Sequence, residues 1–567
     1  MNLQELKDFF VWKPEKRYQF TLPDEENSNQ NKPTVSESDL NFSKDIFSNI
    51  SENLEYINSR FNTMINSDIV IREFEILVRN KQYKAFLLFI DGMVNSDLIN
   101  NYILKPLMMK NNANSYDGDY DKIISEKVTN NVTIRKVKKL DLVQYISGCL
   151  LPQNSLKETS SFDELVSGVN SGNCSLFVDT LNIAFDIEVK GFSQRAVGSP
   201  NNEIVIKGPH EAFVESIRVN TSLLRRIVNN ESLIIEGFQV GNVTQTQCAI
   251  CYMKDITNED LINEVKYRIS NLDVDTILSS GQLEQLMMDN ETMGIPEMLS
   301  TERPDKATTY LLQGRVIIFI NGNPYATIAP ATLIDFMASP EDNNLKAPFA
   351  NFLKSIRFIC AFITLLLPGI YVAVTSFHQE ILPTELLFSI LASRENVPFP
   401  VIAEILLMEI SFEIIREAGL RVPSPIGPTI GIVGALVLGQ AAVSASIVSP
   451  ILIIIVAITG ISSFSIPDFS FGFHLRLYRF LFTILGFISG FLGIGLGLFV
   501  YISILCNLKS FGINFTLPIA PSVNTKGNGY FVQPTWKQEF LAPYLDPKKD
   551  TSQDRISMKW KFFHRKD

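Results

Sequence analysis

The chain has 567 residues, 46% of them hydrophobic and 19% charged, with a formal net charge of −10 and a mean hydropathy of +0.13. That balance is high for a protein bathed only in water and modest for one made only of spans, so it implies two solvents and several units rather than one core. No Lys/Arg run is interleaved with aromatics as a nucleic-acid groove requires, and six scattered cysteines do not form the framework of a small secreted domain.

In chain order, residues 1–47 read as a polar lead-in. Residues 1–18 mix Lys and Glu with Phe and Trp and lack the continuous apolar core of a secretory signal, so the soluble part is expected to stay cytoplasmic. Residues 24–45 are Asn/Ser-rich and too polar to offset ordering entropy, which predicts disorder. Residues 48–150 form a first α/β domain, with a strand at 83–90 running into the Asp91-Gly92 turn pair. Residues 151–345 form a second α/β domain, with strands at 174–179, 183–190, 232–240 and 244–252 and helices at 211–227 and 258–269. The runs at 85–92 (AFLLFIDG), 174–180 (CSLFVDT) and 314–325 (GRVIIFINGNPY) read either as an internal repeat or as ordinary buried strands entering turns. Cys248-x-x-Cys251 has half of a zinc spacing but sits in a strand-like run without a nearby His, so no metal or cofactor is expected.

Residues 346–510 form the membrane domain, an α-helical transmembrane bundle. Its expected pieces are a span at 358–374, a Glu-bearing amphipathic helix at 401–419, the uncharged stretch 429–464 interrupted by Pro450, and a glycine-rich span at 480–508. The tail, 511–567, is basic toward its end. Tail and pre-membrane cations both belong in the cytoplasm, so the crossings are even in number, about four, with the amphipathic helix not crossing.

The run at 409–443 (EISFEIIREAGLRVPSPIGPTIGIVGALVLGQAAV) resembles the signature of the A subunit of bacterial spore germinant receptors, the GerA family. Further matches in register are VIREF (70–74), FIDGMV (89–94), ILKPLM (103–108), KGPHEAFVESIRVNTSLLRR (207–226), TERPD (301–305) and SSFSIPDFS (462–470). The resemblance implies an oligomeric subunit of a nutrient-sensing complex in the inner membrane of the endospore, its amino-terminal domains cytoplasmic. It implies a transporter-like B subunit and a lipoprotein C subunit as partners, and cation conduction through a channel. A paralogue associated with dipicolinate release falls within the same resemblance.

Several residues carry readings of their own. Gln440, Ser444 and Ile447 stand at i, i+4 and i+7 and read either as a pore-lining face, with Val443 or Ile447 as an apolar constriction, or as a helix-packing seam. Glu409, Glu413 and Glu417 share a helix face and read either as a cation-attracting ring or as structural pairs, Glu413 with Arg416 and Glu417 with Arg421. Pro423, Pro425 and Gly427 read as a helix stop or as a hinge. Lys207, His210, Arg218, Arg225 and Arg226 lie on or near one helix and read as solvated surface or a subunit contact. No nucleophile elbow, metal cluster or Walker spacing appears, so no enzyme is expected. The competing functions are a secondary carrier, disfavoured by the lack of duplicated membrane halves, and a scaffold that conducts nothing.

Overall fold

A computed structural model describes residues 45–78, 81–108, 141–191, 200, 202–290, 293–421, 439–523, 525 and 529–552. The lead-in up to Lys44, the Pro423/Pro425/Gly427 hinge and the basic tail end from Gln553 lie outside the described residues.

The first unit opens with α1 (Ile50–Phe61), whose cap Asn49 accepts from the Ser51 N–H. β1 (Ile69–Val78) and β2 (Lys81–Ile90) pair as a long antiparallel hairpin. β3 (Leu156–Thr159), α2 (Phe162–Asn170), β4 (Asn173–Val178) and β5 (Ala184–Glu188) complete an antiparallel sheet in the order β1-β2-β4-β5-β3. Alternation along β2 decides its two faces: Phe86, Leu88 and Ile90 pack under α1 and α2, and Ala85 and Leu87 pack under the helical segments 96–108 and 142–150. The boundary expected at 150/151 therefore falls inside this unit, because β3 to β5 close its sheet.

The second unit comprises α3 (Ile217–Ile227), β6 (Leu233–Val240), β7 (Thr246–Met253), α4 (Glu259–Ser270), α5 (Ser280–Met287), β8 (Leu299–Thr301), α6 (Pro304–Leu311), β9 (Val316–Ile320) and β10 (Ala326–Ala329). Its sheet order, β6-β7-β9-β10-β8, repeats that of the first, and the helices before its first and fourth strands again share one face. From β3 to β5 the two units match without a gap: Thr159, Gly172, Phe177 and Ala184 correspond to Thr301, Gly314, Phe319 and Ala326, each displaced by 142 residues. Gly172 and Gly314 both take positive φ, 92° and 93°, at the turn entering the fourth strand. The two units thus share one topology. Cys248 and Cys251 lie on opposite faces of β7, in different core clusters, and cannot serve one metal.

Arg225 of α3 joins the units. It is 1% exposed; its Nε lies 2.8 Å from Asp68 Oδ2, and its Nη2 lies 3.0 Å from Asp68 Oδ1 and 3.1 Å from Asn66 Oδ1. The Asn66 oxygen also accepts the Ile235 N–H of β6 at 3.0 Å, so the chain before β1 is held against β6.

The bundle follows: α7 (Ala347–Ser376), α8 (Thr384–Arg394), α9 (Val401–Arg421), α10 (Pro450–Phe464) and α11 (Phe469–Asn507). Among the described residues, α7 and α11 are long and apolar enough to cross a membrane, while the apolar α10 has 15 residues. The glycine-rich run expected as one span is part of a hairpin. Gly490 breaks α11 with φ 60° and ψ −139°, a conformation that only glycine adopts readily. His474 Nε2 lies 3.0 Å from the Tyr501 hydroxyl, 27 residues on, where a straight helix would separate them by about 40 Å. At the crossing of α7 and α11, a Cβ on Gly369 would meet the Phe482 carbonyl at 2.6 Å, so small residues set the approach. Both ends of α11 adjoin the second unit: Phe471 stacks on Phe336, and Ser510 just past its end donates to the Glu297 carbonyl at 2.6 Å. The tail then folds back, with Leu517, Tyr544 and Leu545 buried.

Candidate functional site in the helical bundle

α9 and α10 run parallel. Glu404 Oε2 accepts the Ser449 N–H at 3.2 Å near their starts, Phe412 faces Gly460 midway, and Arg416 Nη2 donates to Ser463 Oγ at 2.9 Å near their ends. Helical period carries Glu409, Glu413 and Arg416 of α9 toward α11, which supplies Arg476 and Arg479.

These five side chains converge. Arg479 is 1% exposed; its Nη2 lies 2.5 Å from Glu409 Oε2 and 3.0 Å from Glu413 Oε1. Arg416 Nη1 donates to both oxygens of Glu413, at 3.1 and 3.2 Å, and Arg476 Nε lies 3.9 Å from Glu413 Oε1. Aromatic faces wall the guanidinium groups: Phe412 and Phe464 flank Arg416 at 5.1 and 4.8 Å, and Phe473 lies 5.3 Å from Arg476. No described protein group pairs with Glu409 Oε1 or with the Nε atoms of Arg416 and Arg479. A buried charge network short of partners among apolar helices is expensive. A second pair, Arg394 Nη2 to Glu404 Oε1 at 3.2 Å, closes the other end of α9.

The expected Glu413–Arg416 pair is present. Glu409 faces the interior of the bundle, paired with Arg479, rather than an open surface. Glu417 is exposed, and the Arg421 side chain lies outside the described residues. Sequence reasoning missed Arg476 and Arg479; the signal was the run HLRLYRF, two cations three residues apart opening an apolar stretch.

The expected pore face is interrupted. The helix carrying Gln440 and Ser444 ends at Ser444, and Ser446 takes φ 53°, so Ile447 lies beyond the helix and not at i+7 on its face. Gln440 and Ser444 are exposed, Val443 is half-buried and Ile447 is 37% exposed.

The expected subunit-contact set divides. Arg225 is the buried bolt between units and unavailable to a neighbour, Arg218 pairs with Asp91, and Arg226 pairs with Glu211. Lys207 and His210 are exposed.

At the junction of unit and bundle, Glu284 of α5 lines an open cleft of about 850 Å³ with Leu286, Phe469 and Phe473. Burial first, then the charge of Asp468, pushes its carboxyl up to about 7, and burial also raises Asp468.

A duplicated α/β module carrying a helical bundle with a buried ion-pair network defines the class. The family described as Bacillus/Clostridium GerA spore germination protein matches residues 55–543, and the chain belongs to that family. It is 38% identical over 475 residues to spore germination protein KA of Bacillus subtilis (strain 168), covering 84% of this chain and 83% of that protein. It is 38% identical over 381 residues to spore germination protein A1 of the same organism, covering 67% and 77%, and 35% identical over 502 residues to its uncharacterized membrane protein YfkQ, covering 88% and 92%. Among solved structures it is similar to the crystal structure of the N-terminal domain of the A subunit of the Bacillus megaterium spore germinant receptor GerK3. The identity is 29% and the TM-score 0.36, over 52% of this chain and 98% of that one.

Proposed function

We propose that the chain is the A-type subunit of a nutrient-sensing germinant receptor in the inner membrane of the endospore, assembled with copies of itself and with transporter-like B and lipoprotein C subunits. The assembly conducts ions when nutrient binds, and the copies line the path together. The observation that carries this reading is the exposure of Gln440 and Ser444 on the bundle surface. Amide and hydroxyl groups facing hydrocarbon are costly, whereas a neighbouring copy or a water-filled path satisfies them. Ile447 lies just past that helix and serves as an apolar constriction. Glu409 and Glu413 act as half of a lock with Arg479 that fixes α9 against α11.

In this reading the crossings are even in number, about four, as the cations flanking the bundle require. The α/β module and the tail then share the cytoplasmic side. The test is cysteine accessibility in full-length chain reconstituted in vesicles, with the accessible Cys149, Cys360 and Cys506 replaced by Ser: Ser444→Cys should react with water-soluble thiol reagents and cross-link between copies, and Ile454→Cys, on a lipid-facing side, should do neither. Equal behaviour at the two positions would refute the shared-path reading.

A further inference from the structure

Where the second unit, the first turns of α7 and the returning tail meet, they line a half-open pocket of about 290 Å³. The tail is clasped to α7 there. Asn351 Nδ2 donates to the Val532 carbonyl at 3.1 Å, and the Val532 N–H donates to Asn351 Oδ1 at 2.7 Å. Lys354 Nζ donates to the Tyr530 carbonyl at 3.2 Å, and the Tyr530 hydroxyl to the Lys354 carbonyl at 2.5 Å.

The charged groups lining the cavity are Asp305, Lys306, Asp335, Asp342 and Lys354. Four of them are neutralised: Asp305 by Arg303 at 2.8 Å, Lys306 by Glu203 at 2.6 Å, Asp335 by Arg315 at 2.6 Å and Asp342 by Arg357 at 2.7 Å. Lys354 differs. It is 6% exposed, and among the described residues it has one hydrogen bond and no carboxylate within 4.0 Å. A buried ammonium with donors to spare calls for an anion, since unpaired buried charge is strongly disfavoured.

We propose that this cavity binds a small organic monocarboxylate, with the carboxylate on Lys354 Nζ. One ammonium with no carboxylate in contact, lying 5.8 Å from the Tyr530 ring, matches one negative charge, and the paired Asp335 and Asp342 carboxylates disfavour a dianion. The apolar walls at Ile334, Ala338 and Phe531 accept a short carbon skeleton and reject a strongly hydrated inorganic ion, while the Gln313 and Asn344 amides can meet a hydroxyl or amide on the ligand. Because the walls come from three parts of the chain, an occupant draws the tail, the second unit and the start of α7 together. The site is independent of the shared-path reading, which concerns the other end of the bundle.

The test uses purified full-length chain in nanodiscs and titrates butyrate and lactate beside butyramide, following binding by calorimetry. Saturable binding of an acid without binding of butyramide is expected. Lys354→Met should weaken it at least about tenfold, as loss of a charge-assisted bond does, and Lys354→Arg should retain part of it. Ala338→Trp occupies the pocket while leaving Lys354 in the chain, so it keeps the test decisive if Lys354→Met melts early; it too should abolish binding. Absence of saturable acid binding, equal binding of butyramide, or undiminished binding in Ala338→Trp would overturn the proposal.

Discussion

Replacing Arg479 with Met keeps its length and removes its charge. Its guanidinium lies 2.5 Å from Glu409 and 3.0 Å from Glu413, with 1% of its side chain exposed against 2% and 28% for theirs. At an effective dielectric of about 20, each contact is worth roughly 5–7 kcal/mol before desolvation, most of which desolvation cancels. Glu413 retains Arg416; Glu409 loses its arginine and remains buried. Leaving one buried charge unpaired costs about 3–5 kcal/mol, whereas removing both members of the pair costs much less. Chemical unfolding of the full chain in nanodiscs should therefore show Arg479→Met strongly destabilised and Glu409→Gln/Arg479→Met largely restored, with a coupling of at least about 2 kcal/mol. If Arg479→Met lies within about 0.5 kcal/mol of the parent, or the two effects simply add, the lock between α9 and α11 is not one.

Gly490→Ala should destabilise the hairpin by about 1–3 kcal/mol, because its φ of 60° and ψ of −139° strain any side chain and a Cβ would lie 2.6 Å from His378. His378→Ala relieves the clash but not the strain, so it should rescue only in part; full rescue on thermal melting would assign the effect to the clash alone. Arg225→Ala leaves Asp68 buried without its partner, and hydrogen exchange at residues 66–68 and 233–235 should rise by more than tenfold while the far strands stay protected; unchanged exchange would show that the units need no bolt. Glu284 has its folded-state value raised to about 7 from an ordinary 4.5. Its burial therefore costs nothing below about 4.5, and stability falls as pH rises through 7. Melting followed from pH 5 to 8 should show that decline weakened in Glu284→Gln; identical slopes would remove the carboxyl from the account.

Much of the α/β part was legible because alternation and turn chemistry are local. The strands at 83–90, 174–179 and 232–240 stand close to where their apolar runs and turn residues placed them. CSLFVDT and GRVIIFINGNPY recur because β4 and β9 hold the same place in two sheets of one topology, whereas AFLLFIDG is β2, a different place. The unit boundary was illegible, since closing the first sheet depends on pairing β2 with β4 across nearly ninety residues of chain. In the bundle, charge spacing on α9 exposed Glu409, Glu413 and Arg416, but the partner of the two carboxylates, Arg479, lay on another helix, 66 residues beyond Glu413. The glycines of 480–508 look alike in sequence; which of them turns the chain is decided by the packing of His378 and Phe491 around Gly490.

The central claim, that copies of this chain form one ion path, is tested most directly by recording current across planar bilayers containing the purified full-length chain, with Ile447→Ala alongside. Discrete single-channel openings, made more frequent by Ile447→Ala, are the expected result. Silent bilayers, or slow saturable uptake into vesicles without unitary currents, would contradict it.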